Sequence, residues 1–367
     1  MRKTKVIISK KDLINNYNFI KSQTKVNKHI AIVKANAYGH GAIEIAKLLS
    51  QQGIYAFGVA YTEEAVLLRK AGIKEPIIIL VQQAEEDIPD IVEYDLQPAV
   101  STVKFLQTLN QVAKSNNKII KVHLFIDSGM SRDGIASEDA LDFVNQTLPL
   151  TNIYYEGICA HFASASLDPI FTRYQLESFN KAIFSLKENG INFNTIHTAS
   201  TASIINYPET HFNTVRFGIS LYGYPPDIQI GYKFKLTPIL TLKSNISLIR
   251  KIKKGDSVSY SRKFIADRDT NIATVPIGYG DGYSRLLTGK AHCIIKDKLY
   301  SIVGAICMDE LMVNLGDDNL EIGEEVIFIG KSENHSISAD DLAESIGTIS
   351  YEITTLIAPR VPRIYVD

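Results

Sequence analysis

The chain of 367 residues has few cysteines, almost no net charge and no long apolar segment. Its three cysteines, Cys159, Cys293 and Cys307, are odd in number and far apart, which argues against a disulfide framework or a thiolate zinc cluster. The formal net charge of -1 gives no reason to expect nucleic acid or an anionic membrane as a partner. We therefore expect a protein of the reducing cytoplasm, without a metal site.

Membrane and secretory segments are also missing from the sequence. No apolar run approaches the roughly 20 residues that a transmembrane helix needs, and the start "MRKTKVIISKKD" is not followed by the apolar core of a signal peptide. Hydrophobic residues make up 45% and charged residues 22%, which is typical of a globular protein. A chain of this length accommodates one large domain and one smaller one.

Short apolar runs alternate with helical patterns over the first two thirds of the chain. The runs lie near residues 30–33, 56–60, 76–81, 96–100, 121–126, 153–160, 195–198 and 214–219. Most segments between them place apolar residues three and four positions apart, as helices do. Eight strand and helix alternations are the number found in a closed parallel (β/α)8 barrel, or TIM barrel. An open doubly wound sheet is the alternative, but no G-x-G-x-x-G follows the first strand.

The pattern changes after about residue 236. Runs of β-branched residues separated by Gly, Asp and Lys turns predict a second, mostly β domain, in which only "SADDLAESIG" looks helical. We therefore predict a barrel domain over residues 1–236 and a C-terminal β domain over residues 237–367.

Polar residues follow several of the predicted barrel strands, where the catalytic residues of such barrels lie. In chain order they are Lys34, Arg132, His161, Ser200, Thr201 and, on the last strand itself, Arg216. Burying an ammonium group is costly unless it is paired, neutralised or covalently used, so Lys34 either reaches water or takes part in chemistry. A Schiff base with pyridoxal phosphate needs such a lysine and a nearby phosphate site.

Eight segments carry a resemblance to a known family. The first is "AIVKANAYGHGA", and the others follow in order: "VHLFIDSGMSRDG", "GICAHFASAS", "VRFGISLYG", "KKGDSVSYSR", "VPIGYGDGYSR", "IVGAICMDELMV" and "RVPR". Together they resemble the alanine racemases over nearly the whole chain. The resemblance implies a barrel that binds pyridoxal 5'-phosphate, followed by a β domain. It also implies interconversion of L-alanine and D-alanine, which supplies D-alanine for peptidoglycan.

The resemblance implies a role for each matching residue. Lys34 would bind the cofactor as an imine and act as a base on one face of the substrate Cα, and Tyr260 would be the acid/base on the opposite face. Inversion by two-base proton transfer requires this arrangement. Arg216 would face the pyridine nitrogen and leave it unprotonated, because an arginine does not accept a proton. His161 would hydrogen-bond the catalytic tyrosine.

Further matching residues would hold the cofactor phosphate and the substrate. Those of the phosphate site are Tyr38, Ser200, Thr201 and the backbone of Gly218 and Ile219. Those near the substrate are Arg132 and the backbone of Met308, which would hold its carboxylate, and Tyr279, which would line the access channel. In this family the second domain of a partner subunit completes the site, which implies a homodimer in which Tyr260 and Met308 come from the other chain.

One position departs from the family pattern near the substrate. Where many members have a carbamylated lysine that orients the arginine seven residues later, this chain has Phe125. Arg132 would then be positioned by Asp127, by a chloride ion or by nothing at all. A racemase of serine, of lysine or of broad specificity is therefore the alternative to an alanine racemase. A related decarboxylase and a non-catalytic cofactor carrier are further alternatives, which Arg216 and the domain carrying Tyr260 disfavour.

Overall fold

A computed structural model describes residues 3–367 of the protein, apart from the side chains of residues 228 and 232. The strands of its first part are β1 (Lys5–Ser9), β2 (Lys28–Ile32), β3 (Ala56–Val59), β4 (Ile77–Ile79), β5 (Gln97–Val100), β6 (Ile120–Asp127), β7 (Ile135–Ala136), β8 (Ile153–Cys159), β9 (Thr195–His197) and β10 (Thr214–Phe217).

Eight of these strands form a closed parallel barrel. They pair in the order β10-β2-β3-β4-β5-β6-β8-β9. The circle closes where the backbone N–H of Arg216 in β10 donates to the carbonyl of Ala199, just after β9, at 2.9 Å. Strands such as β3 and β5 are buried along their whole length, because helices cover the barrel outside and side chains fill its inside. The predicted (β/α)8 barrel is confirmed.

Helices connect the barrel strands and cover them. They are α1 (Lys10–Ser22), α2 (Lys34–Tyr38), α3 (Ala42–Ser50), α4 (Thr62–Lys70), α5 (Ile88–Glu93), α6 (Val103–Ser115), α7 (Ala140–Thr147), α8 (Pro169–Glu188) and α9 (Thr201–Asn206). Helix α8 begins with a proline, which lacks the N–H that a first turn cannot use, and the Asp168 carboxylate accepts the N–H of Phe171 at 2.9 Å. Among residues 3–367, no helix combines the length and the apolar character that crossing a membrane requires.

The second part of the chain forms a mostly antiparallel sheet, as predicted. Its strands are β11 (Leu240–Asn245), β12 (Leu248–Ile252), β13 (Ser257–Val258), β14 (Phe264–Ile265), β15 (Thr270–Val275), β16 (His292–Ile295), β17 (Lys298–Val303), β18 (Leu311–Gly316), β19 (Glu325–Lys331), β20 (Ser336–Ile337) and β21 (Arg363–Val366). The order in the large sheet is β12-β15-β18-β17-β16-β19-β11-β1-β21, with β20 beside β19. Strand β1, which precedes the barrel in the chain, therefore lies in this sheet, antiparallel to β11 and parallel to β21.

Two helices, not one, interrupt the second part. The predicted helix is α10 (Ala339–Ile346), and the structure adds α11 (Ser350–Thr355), so the expectation of a single helix was wrong. The sequence of α11, "SYEITT", contains serine and β-branched residues that favour helices only weakly, which is why no helical pattern marks it. Its position matters because α11 reaches the barrel and packs near α2.

Candidate active site

A cavity of about 460 Å³ opens at the C-terminal ends of the barrel strands. Nine of the twelve predicted site residues line it: Lys34, Tyr38, Arg132, His161, Ser200, Thr201, Arg216, Gly218 and Ile219. Two of these residues are arginines and one is a lysine, whereas Asp133 is the one carboxylate among the described residues of the lining. The cavity therefore has an excess of positive charge, which suits a ligand with anionic groups.

Lys34 lies directly after β2, at the start of an unusual turn. The four residues that follow it, Ala35 to Tyr38, all have φ between 50° and 55°. Each residue in this left-handed conformation costs roughly 1–2 kcal/mol, so neighbouring structure must hold the turn in place. The Glu64 carboxylate accepts the N–H groups of Ala35 and Ala60, which joins the turn to the end of β3.

The C-terminal strand β21 holds the other end of this turn. Arg363 donates from Nε to the carbonyl of Gly39 at 3.0 Å, and the Tyr365 hydroxyl donates to the carbonyl of His40 at 2.8 Å. A Cβ at Gly39 would lie 2.0 Å from the carbonyl oxygen of Thr354 in α11, so only glycine allows this approach. Elements from both ends of the chain thus fix the position of Lys34.

The electrostatic surroundings of Lys34 favour its neutral amine. Burial is the largest cause that lowers the pKa of Lys34, and the positive charges of Arg132 and Arg216 act in the same direction. Only the carboxylate of Glu64 opposes them. A lysine with a lowered pKa is more often present as the free amine, which is the form that attacks a carbonyl carbon or accepts a proton.

Arg216 is buried and hydrogen-bonded almost completely. Its Nη1 donates to the carbonyl of His197 and to Nδ1 of the same residue, and its Nη2 donates to the carbonyls of Ala160 and Thr198 and to Nδ1 of His161, all within 2.8–3.1 Å. Burial lowers the pKa of Arg216 to about 10, so the guanidinium still carries its charge at neutral pH. No acceptor among residues 3–367 occupies its Nε–H, which remains available to a ligand in the cavity.

These contacts determine which ring nitrogen carries the proton in three histidines. An arginine can only donate, so Nδ1 of both His161 and His197 must accept, and their protons lie on Nε2. His197 then donates from Nε2 to Nδ1 of His123 at 3.0 Å, and His123 donates from Nε2 to Gln97 at 3.1 Å. His161 keeps an Nε2–H donor for a group in the cavity.

The hydrogen bond between His197 and His123 requires a glycine, Gly157, beside it. A Cβ at Gly157 in β8 would lie 2.2 Å from Nδ1 of His123 and 2.3 Å from the hydroxyl of Thr195. Both distances are far too short for a real contact, so any side chain at this position would displace His123. The hydrogen bonds that support Arg216 thus depend on an unsubstituted Cα in β8.

Hydroxyl groups and a glycine form another part of the cavity wall. The ring of Tyr38 packs against that of Tyr222, with centroids 5.1 Å apart, and the Thr201 hydroxyl bonds that of Ser220 at 2.8 Å. A Cβ at Gly218 would lie 3.5 Å from the Tyr38 hydroxyl, so a larger side chain there would fill the space in front of it. Thr201 also begins α9, whose first turn presents free backbone N–H groups.

The three remaining predicted residues lie outside this cavity but close to one another. Tyr260, Met308 and Tyr279 are 70%, 54% and 42% exposed. Ser259, next to the first of them, donates to the carbonyl of Ala305 at 2.6 Å, and the N–H of Tyr279 donates to the carbonyl of Cys307 at 3.0 Å. These contacts join the three segments into one exposed surface of the β domain, which we call the Tyr260 surface.

The Tyr260 surface is held in a defined shape. Arg360 donates from Nε to the buried carboxylate of Asp281 at 2.7 Å and from Nη2 to Asp309 at 2.8 Å. The backbone around Tyr260 is strained, because Ser259 and Ser261 have φ of 63° and 58°. The Tyr260 surface is thus exposed but fixed in conformation by hydrogen bonds and ion pairs.

Two family models match the chain. A model of the alanine racemase N-terminal domain matches residues 8–226, and a model of the alanine racemase C-terminal domain matches residues 239–365. The chain belongs to the alanine racemase family.

Individual alanine racemases and a related enzyme are similar over the whole chain. A protein of Clostridium novyi named alanine racemase is 41% identical over 360 residues, 97% of this chain and 93% of its own length. The solved structure of an alanine racemase from Clostridium difficile 630 has a TM-score of 0.94 at 35% identity and covers 99% of this chain and 96% of its own. A histidine racemase from Leuconostoc mesenteroides has a TM-score of 0.93 at 28% identity and covers 100% and 98%.

Sequence reasoning missed two aromatic residues of the cavity in this member of the alanine racemase family, Tyr61 just after β3 and Tyr351. Tyr351 of α11 lines the cavity from the C-terminal part of the same chain, and its ring centroid is 5.8 Å from that of Tyr38. Its segment had no recognised helical pattern, so nothing indicated that it returns to the barrel. Within residues 3–367, no three His, Cys, Asp or Glu side chains are grouped so that they could hold a metal ion.

Acidification from pH 7 to pH 5.5 should destabilise the fold. Burial lowers the pKa of His40 to about 4 and of His123 to about 3, and it lowers the pKa of His197 as well. In the unfolded chain these histidines take up protons near pH 6.5. Their contribution to stability is therefore complete above that pH and is lost below it, and the loss from His40 and His123 together is about 3 kcal/mol at pH 5.5.

Urea denaturation at constant protein concentration measures this loss as a fall in the free energy of unfolding. His292, which is exposed on β16, provides the control, since His292→Gln should leave the pH dependence unchanged. A free energy of unfolding that stays constant between the two pH values would contradict the assignment of buried, neutral histidines.

Proposed function

We propose that the protein is a pyridoxal-phosphate-dependent racemase that interconverts L-alanine and D-alanine. The observation that carries the proposal is the cavity itself. It brings a lysine of lowered pKa, a buried arginine with a free Nε–H and a histidine with a free Nε2–H to one end of a barrel. The family to which the chain belongs and the alanine racemases that it resembles support the choice of reaction.

The residues present in the cavity fit pyridoxal phosphate. The Lys34 amine would hold the cofactor covalently, and the hydroxyls of Tyr38 and Thr201 with the backbone N–H groups after β10 would bind its phosphate. The free Nε–H of Arg216 would donate to the ring nitrogen and, because it keeps its own proton, would leave that nitrogen unprotonated. When bound, the pyridoxal ring withdraws electrons from the substrate Cα and makes the Cα proton acidic.

The chain's own residues would then move that proton. Once the substrate amine has displaced Lys34 from the cofactor, the freed Lys34 amine would accept the proton on one face of Cα, or return it there, and Tyr260 of the partner subunit would do the same on the other face. The Nε2–H of His161 would donate to the oxygen of that tyrosine and thereby stabilise its charged form. Arg132 would hold the substrate carboxylate, which fixes the orientation of Cα between the two groups.

A second copy of the chain would complete the site. Tyr260, Tyr279 and Met308 are absent from the cavity of their own chain, yet they share one exposed, supported surface. A symmetric dimer in which each Tyr260 surface covers the cavity of the other chain would bring both sets of residues together twice. We therefore propose a homodimer with two shared active sites.

The substrate could also be another amino acid. The histidine racemase from Leuconostoc mesenteroides shares this fold, so the fold alone does not select alanine. Phe125 also lines the cavity, at the position where many family members have a lysine. A racemase of serine, of lysine or of broad specificity is therefore the alternative. We place the reaction in the cytoplasm, as a source of D-alanine for peptidoglycan.

Incubation of the purified, cofactor-loaded protein with single L-amino acids tests the proposal. Chiral chromatography should detect D-alanine, and Lys34→Ala should abolish its formation because it removes both the cofactor link and one base. Conversion of serine or lysine without alanine would overturn the named substrate and keep the mechanism. No conversion of any amino acid by the loaded protein would overturn the proposal.

A further inference from the structure

We propose that Asp133 is a positioning residue for Arg132, and that it turns the guanidinium toward the carboxylate of the substrate. The inference rests on the proposed function, because it concerns how that site binds an amino acid. It starts from the fact that Asp133 is the one carboxylate among the described residues that line the cavity.

The barrel wall beside Arg132 offers no anion. Phe125 of β6 is buried in an apolar cluster with Ala99 and Cys159, so this part of the wall can neither pair nor hydrogen-bond with a guanidinium. Burial raises the pKa of the Cys159 thiol to about 12, which keeps it uncharged at neutral pH. A partner for Arg132 must therefore come from the loop that carries it.

Asp127 shapes that loop. Its Oδ1 accepts the N–H groups of Gly129, Met130 and Ser131 at 2.9, 2.8 and 3.1 Å. These bonds fold residues 128–131 around the end of β6. The carboxylate of Asp127 thus organises the backbone before Arg132 rather than its side chain.

The other end of the loop is fixed as well. Gly134 has a φ of +107°, and a Cβ there would lie 2.5 Å from the backbone nitrogen of Asp127, so the chain presses directly against β6. Immediately afterwards β7 pairs with the last residues of β6. Arg132 and Asp133 therefore project from a short loop that is closed at both ends.

Within this loop Asp133 accepts from Arg132 in a specific way. Its Oδ2 lies 3.2 Å from Nε of Arg132, and the aspartate side chain is 18% exposed whereas that of the arginine is 52% exposed. Pairing at Nε leaves the two terminal nitrogens free. Their parallel N–H groups match the two oxygens of a carboxylate, the geometry that gives arginine its selectivity for this group.

The direction in which KM changes when Asp133 is replaced distinguishes a positioning role from simple repulsion of the substrate carboxylate. A negative charge near a substrate carboxylate repels it, so removal of a merely neighbouring aspartate would lower KM. Removal of an aspartate that orients Arg132 would raise KM, because the unpaired arginine would populate rotamers in which it does not face the substrate carboxylate. The kcat should change little, since Asp133 does not move the Cα proton.

We would compare Asp133→Asn, Asp133→Ser and Asp133→Glu with the wild type as cofactor-loaded proteins. We expect KM for alanine to rise about fivefold in the first two, the most that an ion pair with a half-exposed member usually contributes, and to recover in part in Asp133→Glu. Asp142→Asn, an exposed acid on α7 outside the cavity, is the matched control and should leave KM unchanged.

Titration with propionate provides a readout that needs no turnover. This carboxylate has the size of alanine without the amine, and its Kd for Asp133→Asn and Asp133→Ser should rise by the same factor as KM. An unchanged or lowered Kd would overturn the inference. If the wild type racemises nothing, the proposed function fails, while the propionate titration still decides the role of Asp133.

Discussion

Tyr260→Phe should leave a protein that still exchanges the Cα proton of one alanine enantiomer with solvent but interconverts the two enantiomers far more slowly. The substitution removes the acid/base on one face of Cα and keeps the Lys34 amine on the other. Lys34 can then remove a proton and return one only to its own face. We expect racemisation to fall about 10³-fold, the usual contribution of a well-placed acid or base.

The measurement uses deuterium oxide, with mass spectrometry for deuterium at Cα and chiral chromatography for inversion. The absorbance of the bound cofactor should not change, since Tyr260 is not among the residues proposed to hold the cofactor. Tyr154→Phe, at an exposed tyrosine of β8, is the control and should racemise normally. Continued exchange of both enantiomers by Tyr260→Phe would show that another group serves the second face.

Mixed dimers of two inactive variants should regain activity. In a dimer of Lys34→Ala with Tyr260→Phe, one site combines both substitutions and the other combines the native Lys34 of one chain with the native Tyr260 of its partner. Random assembly makes half of the dimers mixed, each with one intact site, so about a quarter of the wild-type activity should return. Co-expression with two different affinity tags isolates the mixed dimers, which should have about half of the wild-type activity because one of their two sites is intact.

Two substitutions at the same position supply the control for this experiment. Mixed dimers of Lys34→Ala with Lys34→Arg contain no intact site and should stay inactive. If the Lys34→Ala and Tyr260→Phe mixture also stays inactive while each variant still forms dimers, both residues would act within one chain, and the shared site would be wrong.

The barrel and much of its cavity could be predicted because local patterns carry that information. A parallel strand buried on both faces is a short apolar run, and eight of them close into a barrel whose C-terminal strand ends all meet at one end. Residues such as Lys34 and His161, each just after a run, must then lie near one another. The cavity lining agrees with this expectation.

Other parts of the site depend on contacts between distant segments, which no local pattern reveals. The left-handed turn after Lys34 has no glycine in its first four residues, so its φ values could not be expected from residue preferences. The bond from His197 to His123 joins two strands 74 positions apart. Tyr351 reached the cavity through a helix whose composition does not favour one.

The hydrogen bonds from β21 to the turn after Lys34 also determine when this turn becomes fixed during synthesis of the protein. Every barrel strand precedes residue 218, yet the carbonyls of Gly39 and His40 are bound by Arg363 and Tyr365. During translation, a nascent barrel can therefore close long before β21 is made. Until then, the left-handed turn after Lys34 lacks the hydrogen bonds from Arg363 and Tyr365. The support of the turn after Lys34 is therefore complete only after β21 has left the ribosome.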